Sequence, residues 1–211
     1  MGLKMNVEQL QKTLRASQYA EQVLGIHRSL IEQDYAVDQF LTSLSTENIQ
    51  DFVRGALDSI ADENAWMRAM RILRARLMFR WIWQDANQLT DVVTLTRELS
   101  DFADASICEA KAFAYQPLAA KHGEPIGYNG KVQDLIVIAM GKLGAQELNL
   151  SSDIDLIFAF DEQGETNGRK CIDVQQFCIL WGQKLIYLLD HITADGFVFH
   201  VDMRLRPWGD G

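Results

Sequence analysis

The spacing of apolar side chains changes once along the chain, and that change limits the fold more than any other feature. From the start to about Leu118 the apolar positions recur every three or four residues with no strand-like alternation, the mark of helices that each bury one face. The clearest segment runs through Trp66, Met70, Leu73, Leu77 and Trp81, and a second through Val92, Leu95, Leu99, Phe102, Ser106, Ala110 and Phe113. The segment 117–131, with its Pro125-Ile126-Gly127-Tyr128-Asn129-Gly130 run, breaks the period and is expected to be loop and turn. Beyond it, residues 134–140 and 153–160 are short apolar runs of the kind found in strands covered on both faces, with room for only a short helix over 143–148. Val174, Phe177, Cys178, Trp181, Leu185 and Leu188 pattern an amphipathic helix, Asp195-Gly196 marks a stop, and a third strand is expected over 197–206. The expectation is an α+β fold: an all-helical arm over residues 1–118, then a core over 119–211 in the order strand, helix, strand, helix, strand.

Composition narrows the function. With 48% of its 211 residues apolar, the chain can bury a core in one domain or two small ones. Its longest apolar stretch, around 135–140, falls far short of the roughly 20 residues that cross a bilayer. The first residues lack the apolar stretch and cleavage site of a secretory signal, so a cytoplasmic location without membrane contact is expected. A net charge of −9 disfavours nucleic acid as a general partner, and an anionic small ligand would require locally placed arginines or a metal. Cys108, Cys171 and Cys178 form no C-x-x-C pair and are odd in number, so they are expected to be buried thiols, the last two on one helix, rather than disulfides or metal ligands. Arg68, Arg71, Arg74, Arg76 and Arg80 could face phosphate or an acidic partner, but a solvated helix surface explains them more simply.

The residues that suggest chemistry lie in the core. Side chains alternate along a strand, so Asp153 and Asp155 project to one face while Ile154 points to the other. Two carboxylates on one face are costly unless water or a cation offsets them. In the third expected strand Phe197, Phe199, Val201, Met203 and Leu205 form an apolar face, and His200, Asp202, Arg204 and Arg206 form the other. If the strands are neighbours, Asp202 joins Asp153 and Asp155 as an oxygen ligand suited to Mg²⁺ or Mn²⁺. Arg204 and Arg206 then stand where guanidinium groups could pair with phosphate. The Gly141-Lys142-Leu143-Gly144 turn could present backbone N–H groups to a phosphate, a weak signal taken alone. Asp-x-Asp is common by chance, and Asp202 with its arginines could equally be a surface ion-pair ladder. His200 reads as a polar neighbour of the site, and His27, His122 and His191 as incidental.

Read together, Met140-Gly141-Lys142-Leu143-Gly144, Glu147-Leu148-Asn149, Ser151-Ser152-Asp153-Ile154-Asp155-Leu156-Ile157-Phe158 and Val201-Asp202-Met203-Arg204-Leu205-Arg206-Pro207 resemble the signature blocks of the bacterial glutamine synthetase adenylyltransferases. The wider kinship is to the polymerase-β-like nucleotidyltransferases, whose glycine turn, Asp-x-Asp and later third carboxylate match Gly141, Asp153, Asp155 and Asp202. The resemblance implies a nucleotidyltransferase core with a small mixed sheet flanked by helices. It implies Asp153, Asp155 and Asp202 as metal ligands and, with Arg204 and Arg206, as catalytic residues. Gly141, Lys142, Gly144, Ser151, Ser152 and Arg204 would hold the nucleotide. Two departures stand out: Ala145 where the family usually has glycine, and Lys142 where the wider superfamily has serine.

Members of the family carry two catalytic halves, one removing AMP from a tyrosine of glutamine synthetase and one attaching it. Leu148-Asn149, Asp202-Met203-Arg204 and Trp208 after Pro207 resemble the N-terminal, AMP-removing half, and Met1 ahead of a helical arm agrees. The implied reaction is attack by orthophosphate on adenylylated tyrosine with release of ADP, with Mg²⁺ as cofactor, glutamine synthetase as protein substrate and the PII signalling protein as regulator. Transfer of AMP from ATP to the tyrosine is the alternative chemistry, and a silent binding module the alternative without chemistry. The chain stops at Gly211 just after the third carboxylate, where the cleft of such a fold is not yet closed, so a fragment of a longer, bifunctional enzyme is expected.

Overall fold

The computed structural model describes residues 5–36 and 43–203, which form two compact units. One comprises Met1–Phe102 with Glu147–Leu150, the other Ala103–Gln146 with Ser151–Gly211. Helix α5 (Val92–His122) runs through the division, which lies at Phe102 rather than near the expected residue 118.

The first unit is helical, as its apolar period predicts: α1 (Val7–Ala16), α2 (Gln18–Ala36), α3 (Thr46–Leu57), α4 (Glu63–Ala86) and the first part of α5. Helix α4 is the hub, with α1, α2 and α3 packed on it. Trp66, Met70, Leu73, Leu77 and Trp81 are all buried, and Ala75, Phe79, Ile82 and Trp83 of the same helix join Ala20, Val23, Leu24 and Ile31 of α2 in one cluster. Buried side chains on nearly every side of α4 require helices on several sides of it. Its N-cap is Asp62, whose side chain accepts from the Ala65 N–H at 2.8 Å.

The arginines of α4 depart from the sequence expectation. Arg71 and Arg80 are buried, Arg76 makes a two-pronged ion pair with Asp34, and Arg74 donates to the Tyr19 hydroxyl at 3.1 Å; Arg68 alone is exposed. With three helices around α4 little of its surface reaches solvent, so its cations are matched internally.

The second unit is built on a three-stranded sheet in the order β2 (Ile136–Met140), β3 (Ile154–Ala159), β5 (Val201–Asp202), antiparallel between the first two and parallel between the last two. The short helix α6 (Gly141–Gly144) joins β2 to β3, and α7 (Val174–Asp190) precedes β5. Val174, Phe177, Cys178, Trp181, Leu185 and Leu188 of α7 are buried, as their spacing predicts. Helix α7 covers the sheet face of Ile154, Leu156 and Phe158; a side chain at Gly182 would meet the Phe158 ring at 2.6 Å. Together these elements are a mixed sheet with helices, an α+β fold.

Several local expectations are corrected. Helix α5 continues through Pro117 on an exposed face and stops at Gly123, whose φ of +80° suits a helix end. The expected loop contains β1 (Pro125–Gly127), which pairs antiparallel with β4 (Gly164–Thr166) in a separate ribbon. Strand β2 is covered on one face only, since Ile136, Ile138 and Met140 are 44%, 43% and 36% exposed; an unbroken apolar run does not say which face is covered. Among the described residues the third strand is just Val201–Asp202. Val198 and Phe199 are both buried, and both of their N–H groups bond to the Leu189 carbonyl, so the chain entering β5 is bent and the expected alternation fails there. Cys108 and Cys171 are exposed, and Cys171 precedes α7 rather than lying on it. Cys178 is buried, and burial together with Asp134 pushes its thiol up to about 11. His122 is not incidental: it is buried, and its Nδ1–H donates to the Lys170 carbonyl at 2.7 Å. No helix among the described residues is long and apolar enough to cross a membrane.

Candidate functional site

Two strands and one turn position the carboxylates. Ile154 and Leu156 are buried on the α7 side, so Asp155 projects to the other face, and Asp153, just ahead of β3 and exposed, follows the same alternation. In the parallel pair of β3 with β5, Asp155 is the register partner of Asp202. In the antiparallel pair with β2, Asp155 is the partner of Met140. Neighbouring strands lie about 4.8 Å apart, so two acidic side chains meet on a face that continues into the exposed Ile138 and Ile136.

The turn after Met140 is shaped around one of these acids. Gly141 has φ +55°, and a Cβ there would lie 2.5 Å from Oδ2 of Asp155, so the carboxylate occupies the space that any side chain would fill. Gly144 closes the same turn; a Cβ there would stand 2.7 Å from the Ala139 carbonyl oxygen. Ala145, the departure from the family pattern, has φ −86° and needs no glycine. The left-handed residue after Ala145 is Gln146, at φ +58°, whose Nε2 donates to Asp104 at 3.1 Å and to the Leu143 carbonyl at 3.3 Å. Replacing Gly141 by alanine should cost about 1–3 kcal/mol of stability through the left-handed backbone and the displaced carboxylate. It should also weaken Mn²⁺ binding measured by calorimetric titration; unaltered Mn²⁺ affinity would show that the turn does not shape the site.

Sequence reasoning did not find the brace behind Asp202. His200 Nδ1 lies 2.5 Å from Asp190 Oδ1 at the end of α7, the imidazole stacks on Phe197 with centroids 3.9 Å apart, and the His200 carbonyl accepts from the Ile154 N–H at 2.9 Å. This ties α7, the entry to β5 and the start of β3 together next to the paired acids. Lys142 is exposed in the turn, Ser151 is exposed and Ser152 half-buried ahead of Asp153. Arg204 and Arg206 lie outside the described residues.

The donors suit a hard divalent cation: carboxylate oxygens from two paired strands, next to a turn that leaves room for them. Among the described residues no three His, Cys, Asp or Glu side chains converge closely enough to hold an ion. Asp155 and Asp202 thus form a paired edge of the site, and Asp153 would complete it by turning inward.

The sequence pattern of the family described as glutamate-ammonia ligase adenylyltransferase matches residues 7–211. A bifunctional glutamine synthetase adenylyltransferase/adenylyl-removing enzyme of Acinetobacter baylyi is 79% identical over 207 residues, covering 98% of this chain and 22% of that protein. Enzymes of the same name from Hahella chejuensis and Shewanella oneidensis are 51% and 38% identical, over 72% and 94% of this chain and 16% and 22% of their own lengths. The chain therefore spans about a fifth of the length of these relatives. The signature blocks, the mixed sheet that carries their acids and a match over nearly the whole sequence agree: the chain belongs to the glutamate-ammonia ligase adenylyltransferase family.

Proposed function

We propose that this chain carries the AMP-removing site of a bifunctional enzyme, cleaving AMP from an adenylylated tyrosine of glutamine synthetase by metal-dependent phosphorolysis. The observation that supports it most is the strand pairing of Asp155 with Asp202 beside a glycine turn that leaves room for the Asp155 carboxylate. In this reading an orthophosphate oxygen forms a bond to the AMP phosphorus, the bond to the tyrosine oxygen breaks, and the tyrosine oxygen recovers a proton from solvent. Asp153, Asp155 and Asp202 would hold the divalent ions, Mg²⁺ or Mn²⁺. When bound, such ions stabilise charge on the attacking and leaving oxygens of an in-line displacement. The side chains themselves orient those positions, and the Met140–Gly141 turn keeps the space over Asp155 free. By the family pattern Gly141, Lys142, Gly144, Ser151, Ser152 and Arg204 would hold the nucleotide, and Arg204 and Arg206 would pair with phosphate oxygens. The chain acts in the cytoplasm, with the PII signalling protein as regulator.

The name of the relatives covers both directions of AMP transfer, and the same ligands serve either, so a product assay decides between them. AMP-labelled glutamine synthetase is incubated with Mg²⁺, orthophosphate and either the 211-residue chain, the longer protein that contains it, or the Asp202→Asn variant of each. Phosphate-dependent ADP that disappears in the variant is the expected result. If the longer variant still releases ADP but no longer adenylylates from ATP, the site belongs to the attaching half.

A further inference from the structure

The second unit holds a pocket that the carboxylate site does not use. It has a volume of about 490 Å³ and is lined by residues of α5 and α7 and by the segment leading into β2. It opens beside Asp134, ahead of β2, while Gly141 and Asp155 are at the other end of that strand, on the order of 20 Å away at a strand's rise per residue.

Its wall is aromatic and firmly set. Tyr115 and Trp181 pack with ring centroids 4.9 Å apart, Phe177 lies against both, and the Trp181 indole N–H donates to the Lys111 carbonyl at 2.8 Å. Lys111 Nζ stands 5.6 Å from the Trp181 ring centroid and pairs with Asp134 Oδ2 at 2.6 Å, so the one lysine of the lining is already engaged. Burial, followed by the charges of Glu124 and Asp134, pushes the Tyr115 hydroxyl up, so the surroundings are acidic. That hydroxyl and the exposed Gln116 amide make no hydrogen bond among the described residues. A mainly apolar cavity of a few hundred Å³ with a few polar groups at its edge is the usual form of a small-molecule site. The rings favour a flat ligand, the two open polar groups favour one that can hydrogen-bond at its edge, and the acidic surroundings disfavour an anion.

We propose that this pocket binds a planar heteroaromatic small molecule that is neutral or cationic, of one or two rings, separately from the nucleotide site. Its occupancy is read without turnover, so its failure and that of the phosphorolysis reading remain distinct.

The test uses the 211-residue chain labelled with fluorotryptophan, whose Trp181 resonance is assigned with Trp181→Phe and followed by fluorine NMR. The probes are adenosine, tryptamine and AMP. Adenosine and tryptamine should move the Trp181 resonance saturably, and AMP should bind this site at least about tenfold more weakly than adenosine. Ala112→Trp, on an exposed position of α5 in the lining, should abolish the Trp181 shift while the remaining tryptophan resonances stay in place. Asp134→Asn should narrow the gap between adenosine and AMP. No Trp181 shift from any probe up to about 10 mM, a shift that survives Ala112→Trp, or AMP binding as tightly as adenosine would each overturn the proposal.

Discussion

Asp155→Asn is expected to raise the melting temperature of the metal-free chain while removing its response to Mg²⁺ or Mn²⁺. Asp155 and Asp202 are strand partners on a half-exposed face, so without a cation their charges repel. Two unit charges about 5 Å apart in high dielectric cost each other roughly 1 kcal/mol. Relieving that in a chain of this length corresponds to a rise of about 2–4 °C. The wild-type chain should gain thermal stability when Mn²⁺ is added, because a ligand that binds only the folded state stabilises it, and the variant should not. If the proposed reading holds and Asp155 is a ligand of a catalytic ion worth several kcal/mol in the transition state, the substitution should also lower AMP release by at least about two orders of magnitude. The signs identify the role. A carboxylate kept for structure would lose stability on substitution, and one that only decorates the surface would leave both the melting temperature and the Mn²⁺ response unchanged. Either pattern, measured by thermal melts with and without Mn²⁺, would overturn the proposed metal-binding role of Asp155.

What the sequence revealed and what it hid divide along a physical line. Period-based readings succeeded where one packed face decides the structure: Trp66 through Trp81 in α4 and Val174 through Leu188 in α7 are buried as their spacing predicts. The alternation that sets Ile154 against Asp155 is likewise visible in the structure because the helix α7 buries one sheet face. Readings failed where a residue's state depends on what packs against it from far along the chain. The arginines of α4 look solvated until Asp34, Tyr19 and Glu98 are placed against them. The bend at Val198 and Phe199 depends on the Leu189 carbonyl, and β1 and β4, at three residues each, are too short to show a period. In the candidate site, the acids and the glycine turn were legible as motifs, whereas the contact of Gly141 with Asp155 and the His200–Asp190 brace are products of folding. No rule of spacing would have paired a histidine with an aspartate ten residues before it.

The other large effect expected is structural and lies in the first unit. Glu98 on α5 is buried, and its carboxylate accepts from Arg80 Nη1 at 2.6 Å, the Trp81 indole N–H at 2.8 Å and the Leu44 backbone N–H at 2.8 Å. The side chains of Arg80 and Glu98 are only 3% and 2% exposed, so neither charge can turn to water if the other is removed. Glu98→Ala is therefore expected to destabilise this unit by about 3–5 kcal/mol, because it breaks one side of a buried ion pair and removes the acceptor of the Trp81 and Leu44 N–H groups. A loss of that size is a large share of a domain's usual 5–15 kcal/mol and should lower the melting temperature by roughly 10–15 °C. The pair itself stabilises far less than its breakage costs, because burying both ions already carried a desolvation penalty. Replacing both, with Glu98→Met and Arg80→Met together, should thus cost less than the sum of the two single replacements, with the Trp81 and Leu44 N–H groups left unbonded in the double variant as they are when Glu98 alone is replaced. Urea denaturation of the two single variants and the double variant measures the coupling. If the double variant is as unstable as the sum of the singles, the contribution of Glu98 comes from packing and its backbone contact, and the buried charge pair is not what holds α4 to α5.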